Sequence, residues 1–180
     1  MATLTPFTAC DLLKINETNL DVLTENYELE YYLQYLLKWP SLVFKTETPD
    51  SEVIGYMLGK SEGVNLDWHS HISAVTVSKN YRRLGIGKLL VDQLVVSSEA
   101  EEQNCYFMDL YVRTTNAVAV RMYKNMGFST FRRVVNYYAS SDDAFDMRLP
   151  LRRDTKKTCL KRGKHTAEER MLTYDYKRLQ

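Results

Sequence analysis

The residues best suited to chemistry are Arg82-Arg83-Leu84-Gly85-Ile86-Gly87-Lys88, which lie between two apolar runs at 72–77 and 89–95. A strand that leads through a glycine-containing turn into a helix leaves the first N–H groups of that helix without intrahelical partners. These groups lie at the positive end of the helix dipole. Glycine lets an anion approach the main chain closely, and the basic side chains add charge. The segment therefore predicts a phosphate-binding turn; the alternative is that the glycines only shape the entry to the helix.

Spacing excludes two better-known phosphate loops. The Walker sequence requires Ser or Thr after Gly-Lys, and here Gly87-Lys88 is followed by Leu89. The dinucleotide fingerprint requires a third glycine where this chain has Leu90. The remaining pattern, Arg-x-x-Gly-x-Gly on a strand, turn and helix, resembles the acetyl-CoA pyrophosphate loop of the GNAT acetyltransferase superfamily.

A predicted helix over 116–125 supplies a second group of polar side chains. Offsets of four and seven residues place Asn116, Val120 and Tyr123 on one face. A phenol with a pKa near 10 is protonated at neutral pH and is roughly matched to a thiol leaving group. Tyr123 is therefore a candidate general acid, although a helical tyrosine is more often a packing residue.

The resemblance extends over residues 3–155. Asn116–Ala119, Met122-Tyr123 and Met126-Gly127-Phe128 are similar to the GNAT segment in which an asparagine contacts the cofactor arm and a tyrosine lies beside its sulfur. Within the GNAT superfamily the chain looks most like the NatB-type catalytic subunits of N-terminal acetyltransferases. The supporting stretches are Asn19–Tyr27, Tyr32–Pro40, Gly55–Lys60, Trp68–Ile72 and Tyr137–Ser140.

This resemblance implies acetyl transfer from acetyl-CoA, without a metal, to the α-amino group of proteins that begin Met-Asp, Met-Glu, Met-Asn or Met-Gln. It also implies a heterodimer with a large helical-repeat auxiliary subunit. The main chain of 82–88 would bind the pyrophosphate, the Val77 backbone the pantetheine arm, and Asn116 and Tyr123 would face the thioester. Four residues would frame the peptide groove, namely Glu25, Tyr27, Tyr137 and Tyr138.

His71 is the residue that we expect to recognise the second residue of the substrate, because an apolar side chain there would leave its hydrogen-bonding nitrogen unpaired. The alternative is a strand histidine satisfied by main chain. Ile72–Val77 contains no carboxylate, so the glutamate base of histone-directed GNATs cannot be transferred to this chain. An α-amine titrates near 8, and one ordered water is enough to remove its remaining proton. We therefore name no direct general base; His71 and Glu25 are candidates to hold that water.

Charge divides the chain at about residue 150. Residues 1–150 carry 14 Lys/Arg and 19 Asp/Glu, whereas 151–180 carry 10 and 4. This predicts an acetyltransferase domain over 1–150 and a basic C-terminal extension over 151–180. The extension is either a solvated end or a docking segment for an acidic surface such as ribosomal RNA.

The bulk composition indicates a protein of the cytosol or nucleus without a membrane segment, and the cytoplasm is the expected location. A chain of 180 residues that is 44% apolar suffices for one domain with a real core. Neither a secretory signal nor a membrane-spanning run is recognisable. The cysteines Cys10, Cys105 and Cys159 form no CxxC pair and are expected to be reduced thiols.

The order of elements predicts an α/β (α+β mixed) fold, a GNAT fold with a central six- to seven-stranded mixed sheet and about four helices. Strands are expected at 2–7, 42–46, 53–60, 69–77, 105–112, 128–138 and 144–149. A helix predicted over Tyr27–Trp39 is apolar on more than one face. It is expected either to be buried within its own domain or to place one face on another subunit.

Two other functions remain open at this stage. One is a GNAT that acetylates other N-termini or small amines such as polyamines. The other is a non-enzymatic acyl-CoA-binding or RNA-binding module that acts through the basic extension.

Overall fold

A computed structural model describes residues 2–20, 24–138 and 141–161. Within these ranges no helix is long and apolar enough to cross a membrane. The strands are β1 Thr3–Pro6, β2 Val43–Glu47, β3 Val53–Glu62, β4 His69–Val77, β5 Phe107–Arg113, β6 Ser129–Val134 and β7 Ala144–Pro150. The α-helices are α1 Asn16–Asn19, α2 Leu29–Lys38, α3 Ile86–Glu99 and α4 Ala117–Asn125.

The seven strands form one sheet in the order β1-β2-β3-β4-β5-β7-β6. All neighbours are antiparallel except β4 and β5, which run parallel because α3 carries the chain between them. The mixed sheet and the four α-helices confirm the predicted fold class. The β4–β5 pairing covers only His69–Ile72 against Phe107–Leu110. Beyond these four residue pairs the strands diverge, and the sheet opens in its middle.

Helices cover both faces of the sheet. α3 and α4 pack with the larger core cluster on one face, and α1 and α2 pack with the second cluster on the other. α3 approaches β3 closely because two strand residues lack side chains: a Cβ on Gly55 would lie 3.3 Å from Ile86 Cγ2, and one on Gly59 would lie 2.7 Å from Leu94 Cδ1. These glycines therefore set the position of the helix that follows the phosphate-binding turn.

α2 is not enclosed within its own domain. Its buried face carries Tyr32 and Tyr35, whereas Leu29, Leu33 and Leu37 are 60%, 42% and 82% exposed. The spacing of four residues aligns these three leucines along one side of the helix. The sequence left open whether this helix is buried in its own domain or places one face on another subunit. The exposed leucines agree with the second expectation.

Two elements next to the site are shorter than the sequence indicates. The last predicted strand before β7 ends at Val134 because Asn136 adopts a positive φ of 53°. α2 begins two residues later than predicted because Glu28 is extended, with ψ of 150°. The loops that these changes create, 24–28 and 135–143, lie next to the site described below; of the second loop the structure describes 135–138 and 141–143.

Residues 151–161 pack against the sheet rather than project from it. Leu151, Asp154 and Cys159 are buried. Asp154 accepts hydrogen bonds from the N–H groups of Thr158 and Cys159, and Arg148 of β7 donates to the Cys159 carbonyl at 3.1 Å. The first part of the predicted extension thus adds to the core, and residues 162–180 lie outside the described part of the chain.

Candidate active site

The opening between β4 and β5 exposes main-chain groups in the middle of the sheet. The N–H of Ser78 donates to the Ile54 carbonyl at 2.8 Å, so the facing residues Gly55 and Val77 are a non-hydrogen-bonded pair. The N–H and C=O of Val77 therefore point away from β3, into the opening. By the two-residue period of a strand, those of Val75 do so too.

The predicted phosphate-binding turn has the expected geometry. Gly85 is the N-cap of α3 with φ of 83°, and Arg83 also adopts a positive φ, 67°. The first helical N–H with an intrahelical acceptor is that of Leu89, which donates to Gly85 at 2.9 Å. The N–H groups of residues 86–88 are left to face the end of the helix. No atom lies within 4 Å of a Cβ built on Gly85, so the space in front of the turn is open.

The side chains of the turn serve different purposes. Arg82 donates from Nε to the Val77 carbonyl at 3.0 Å and so ties the turn to the end of β4. Ile86 is buried in the core, and Leu84 is 70% exposed. Lys88 pairs with Asp92 one turn along α3, which keeps its ammonium group on the helix surface. The turn therefore offers main-chain N–H groups, with Arg82 and Arg83 as its nearest basic side chains.

Asn116 and Tyr123 belong to α4 and its N-cap, and α4 lies against the start of α3: a Cβ built on Gly87 would be 3.5 Å from Met122 Sδ. Asn116 is the N-cap, and its Oδ1 accepts from the Ala119 N–H at 3.1 Å. The ring of Tyr123 is buried against Phe128. Its hydroxyl makes no hydrogen bond with any other described residue. Burial, and then the neighbouring Tyr138, raise the pKa of Tyr123 above its usual 10. The phenol is thus a fully protonated donor, but a weaker acid than a free phenol.

One arginine joins the two loops beside the opening. Arg113, the last residue of β5, donates to Glu25 at 2.5 Å and to Asp142 at 2.5 Å. Its guanidinium lies 4.0 Å from the centre of the Tyr138 ring. Tyr138 in turn donates to the Tyr111 carbonyl at 3.2 Å. Loop 24–28 and loop 135–143 are therefore held together over the end of β5.

Tyrosines line the same groove. Tyr27 donates to the Ser73 carbonyl at 3.2 Å, and Tyr35 shares a hydrogen bond of 2.5 Å with the Ser73 hydroxyl. Tyr137 stacks on Tyr111 at 4.6 Å. Ser73 is the residue at which the β3–β4 register shifts, and it begins the part of β4 that has left β5. The groove thus meets the cleft where the two strands separate.

His71 lies next to Tyr111 of this groove and is bound by a carboxylate rather than by main chain. Its Nδ1 lies 2.7 Å from Oδ1 of Asp109, a buried residue directly opposite on β5. The His71 ring is 5.6 Å from that of Tyr111. Within the described residues, no group of three or more His, Cys, Asp or Glu side chains could hold a metal ion.

Contacts connect most of the predicted residues. Arg82 bonds the Val77 carbonyl, α4 with Asn116 and Tyr123 lies against the start of α3, and Tyr123 interacts with Tyr138 of the groove. Sequence reasoning missed Arg113, Tyr111, Ser73 and Asp109. A signal existed for Asp109, since a carboxylate inside the apolar strand 107–112 requires a partner. No comparable signal marks Arg113, because Glu25 is 88 residues away along the chain.

These features define a transferase that uses an acylated, phosphate-bearing carrier. The main-chain turn offers N–H groups suited to a diphosphate, and the strand edge at Val75 and Val77 offers main-chain groups suited to an amide-containing arm. The chain belongs to the acetyltransferase (GNAT) family, whose model matches residues 11–128.

Relatives and solved structures agree with this assignment. The chain is 44% identical over 161 residues to the N-terminal acetyltransferase B complex catalytic subunit naa20 of Schizosaccharomyces pombe, covering 86% of this chain and 88% of that protein. The crystal structure of Chaetomium thermophilum Naa20 in complex with a bisubstrate analogue is 44% identical, with a TM-score of 0.81 over 87% of this chain and 90% of that one. A chain of the NatB acetyltransferase complex bound to CoA and MES is 43% identical, with a TM-score of 0.76, and the match covers 83% of this chain and 99% of that chain.

Proposed function

We propose that this chain is the catalytic subunit of a NatB-type N-terminal acetyltransferase. It transfers the acetyl group of acetyl-CoA to the α-amino group of proteins that begin Met-Asp, Met-Glu, Met-Asn or Met-Gln. The observation that carries the proposal is the opening of the sheet between β4 and β5 next to the amide-lined start of α3. The relatives named above, which span most of the chain, support the same activity.

Acetyl-CoA, when bound, supplies the acetyl group as an activated thioester. The N–H groups at the start of α3 bind its diphosphate, with charge from Arg82 and Arg83. The Val77 N–H and the main-chain groups of Val75 pair with its amide arm, while the Val77 carbonyl is bonded to Arg82. The free amide hydrogens of Asn116 bond the carrier near the thioester, since its Oδ1 already caps α4.

Tyr123 acts as the general acid that returns a proton to the departing thiolate. Its protonated hydroxyl has no competing partner in the described chain, so it is free to turn toward the sulfur. We assign no direct general base: Glu25 is ion-paired with Arg113, and Asp109 is bonded to His71. An ordered water takes the proton from the attacking amine, which titrates near 8 and is therefore partly neutral at physiological pH.

The groove formed by loops 24–28 and 135–143 receives the protein N-terminus. Glu25, Tyr27, Tyr137 and Tyr138 form its walls. Because Arg113 joins the two loops, the groove closes over the end of β5 and favours a chain terminus over a lysine in mid-chain. Nε2 of His71, the nitrogen not bonded to Asp109, recognises the second side chain.

The exposed leucines of α2 are the docking site for the auxiliary subunit. Leu29, Leu33 and Leu37 form an apolar strip on a helix whose opposite face is buried, as expected of a helix between two bodies. Ribosome association through the basic extension is part of the proposal and rests on its charge alone. The proposed place of action is the cytoplasm, in keeping with three free thiols.

Acetyl transfer to defined peptides tests the proposal. Equal concentrations of a Met-Asp peptide, a Ser-initiated peptide and spermidine are offered with acetyl-CoA, with and without the auxiliary subunit. We expect turnover of the Met-Asp peptide alone, and more of it in the complex. Turnover of spermidine alone would replace the proposal with small-amine acetylation. Uptake of acetyl-CoA with no turnover of any acceptor would favour a binding module.

A further inference from the structure

Asp109 is a buried carboxylate that the steps above do not use. It is the third of the four β5 residues that pair with β4, opposite His71, and it is 3% exposed. Among the described residues, the one side chain that forms a hydrogen bond with it is His71. Arg148, opposite on β7, is directed elsewhere, to the Asp146 carboxylate and to the Cys159 carbonyl.

A second histidine keeps Asp109 ionised. His69 Nδ1 donates to the Asp67 carbonyl at 2.5 Å, and its Nε2 lies 3.6 Å from Asp109 and 3.7 Å from Glu62. Burial lowers the pKa of His69, but these carboxylates outweigh it and raise that pKa to about 9. Burial likewise raises the pKa of Asp109, and the charges of His69, His71 and Arg148 outweigh it and hold that pKa well below 3.8. The site therefore contains a carboxylate between two imidazoles.

The geometry fixes which nitrogen of His71 meets the substrate. An ionised carboxylate has no hydrogen to donate, so the hydrogen of the 2.7 Å bond is carried by Nδ1 of His71. Nε2 has no partner among the described residues, and the ring lies beside Tyr111, on which Tyr137 of the groove wall stacks. Nε2 is thus the atom presented to the groove.

We propose that Asp109 is a positioning residue, which holds the His71 ring by Nδ1 and gives the groove its preference for an acidic second side chain over the matching amide. A carboxylate substrate can only accept, so it needs an N–H on Nε2, and Nδ1 is already protonated toward Asp109. Such a doubly protonated ring is cationic, and Asp109 is the counter-charge that stabilises it. A carboxamide offers both a donor and an acceptor and depends less on that charge. This inference rests on the proposed function, in which His71 recognises the second residue.

Asp109→Asn tests the proposal in the full-length chain with two peptides that differ in one group, Met-Asp and Met-Asn. Since a charge-assisted hydrogen bond is roughly twice as strong as a neutral one, we expect kcat/KM to fall about tenfold for Met-Asp and no more than about threefold for Met-Asn. The KM for acetyl-CoA stays unchanged. Equal losses on the two peptides would show a merely structural role and overturn the proposal.

A double-mutant cycle with His71→Gln separates this inference from the proposed function. If Asp109 acts through His71, Asp109→Asn does not change the Met-Asp to Met-Asn ratio further in the His71→Gln background; additive effects would overturn the proposal. If His71→Gln itself leaves the ratio unchanged, the recognition role of His71 fails instead. Asp109→Asn could unfold because the charge of His69 has lost its partner. In that case the same peptide assay is made with Asp109→Asn combined with His69→Gln, which removes both charges together.

A spectroscopic readout that needs no turnover completes the test. The chain has three histidines, so imidazole nitrogen resonances are assigned by His69→Gln and His71→Gln. We expect Nδ1 of His71 to be protonated in the unsubstituted chain and its signal to shift in Asp109→Asn. A His71 ring protonated only at Nε2, or identical spectra for the two proteins, would overturn the proposal whatever the peptide assay shows.

Discussion

Removal of the Tyr123 hydroxyl is expected to abolish most of the turnover and to leave the fold intact. In Tyr123→Phe no intramolecular hydrogen bond is lost, because the hydroxyl has no partner among the described residues, so the free energy of unfolding changes by less than about 1 kcal/mol. A general acid supplies roughly 10² to 10⁴ of rate, so kcat falls by at least about a hundredfold. Affinity for acetyl-CoA stays the same, since its diphosphate binds at the start of α3.

Tyr56→Phe is the matched control. Tyr56 is fully buried, and its hydroxyl donates to Asn19 Oδ1 at 2.8 Å and lies 3.3 Å from the Tyr32 hydroxyl. Its loss costs about 1–2 kcal/mol, which lowers the melting temperature by about 2–8 °C in a chain of this size. Its kcat is unaffected. Steady-state kinetics and thermal unfolding of both variants test the pair, and a Tyr123→Phe enzyme with kcat within twofold of the unsubstituted enzyme would refute the acid role.

Three further outcomes follow from packing and charge. Gly59→Ala puts a Cβ 2.7 Å from Leu94 Cδ1 and 2.9 Å from the Leu42 carbonyl, so thermal unfolding should show a loss of about 1–3 kcal/mol. Leu33→Asp should leave the melting temperature of the isolated chain within about 2 °C, as a surface substitution does, and weaken association with the auxiliary subunit in a pull-down titration. Because the pKa of His69 is raised to about 9 in the folded chain, its contribution to stability is complete below about 6.5 and is lost as the pH rises through 9. Denaturant unfolding at pH 6.5, 8 and 9.5 measures this loss, and His69→Gln should reduce it.

The controls for these three measurements are also available in the chain. Gly87→Ala is the control for Gly59→Ala, because its Cβ makes only an ordinary contact, 3.5 Å from Met122 Sδ. A melting temperature as low as that of Gly59→Ala would contradict the packing argument. Val96→Asp changes an exposed residue of α3, away from α2, and should leave subunit association unchanged. A pH dependence identical in His69→Gln and the unsubstituted chain would exclude His69 as its source.

Local patterns in the sequence were sufficient for most of the fold. β4 has the predicted bounds His69–Val77, and the helix predicted over 116–125 is α4, Ala117–Asn125, with Asn116 as its N-cap. Both elements carry local signals, the run 72–77 in the first case and the following Gly127 in the second. The turn at Gly85 likewise takes the backbone conformation for which glycine is suited.

The parts of the site that sequence patterns did not reveal depend on contacts between distant segments. The bridge from Arg113 to Glu25 joins residues on separate elements, and neither side chain has a local pattern that specifies its partner. The same holds for His71 and Asp109, which meet only because β4 and β5 pair in parallel with that register. The roles assigned to these residues stay predictions until the assays above are made.

The short pairing between β4 and β5 has a mechanical consequence. The sheet consists of two halves, β1–β4 and β5–β7. They are joined by four residue pairs between β4 and β5 and by the helices that pack across them. Amide hydrogens at Val75 and Val77 should exchange quickly with deuterium in the empty protein, since nothing in the sheet shields them, and slowly once a ligand fills the gap. The bound carrier then occupies the place of a strand between β4 and β5 and holds the two halves of the sheet together. Hydrogen exchange at these two valines therefore measures the fraction of the enzyme that has the carrier bound.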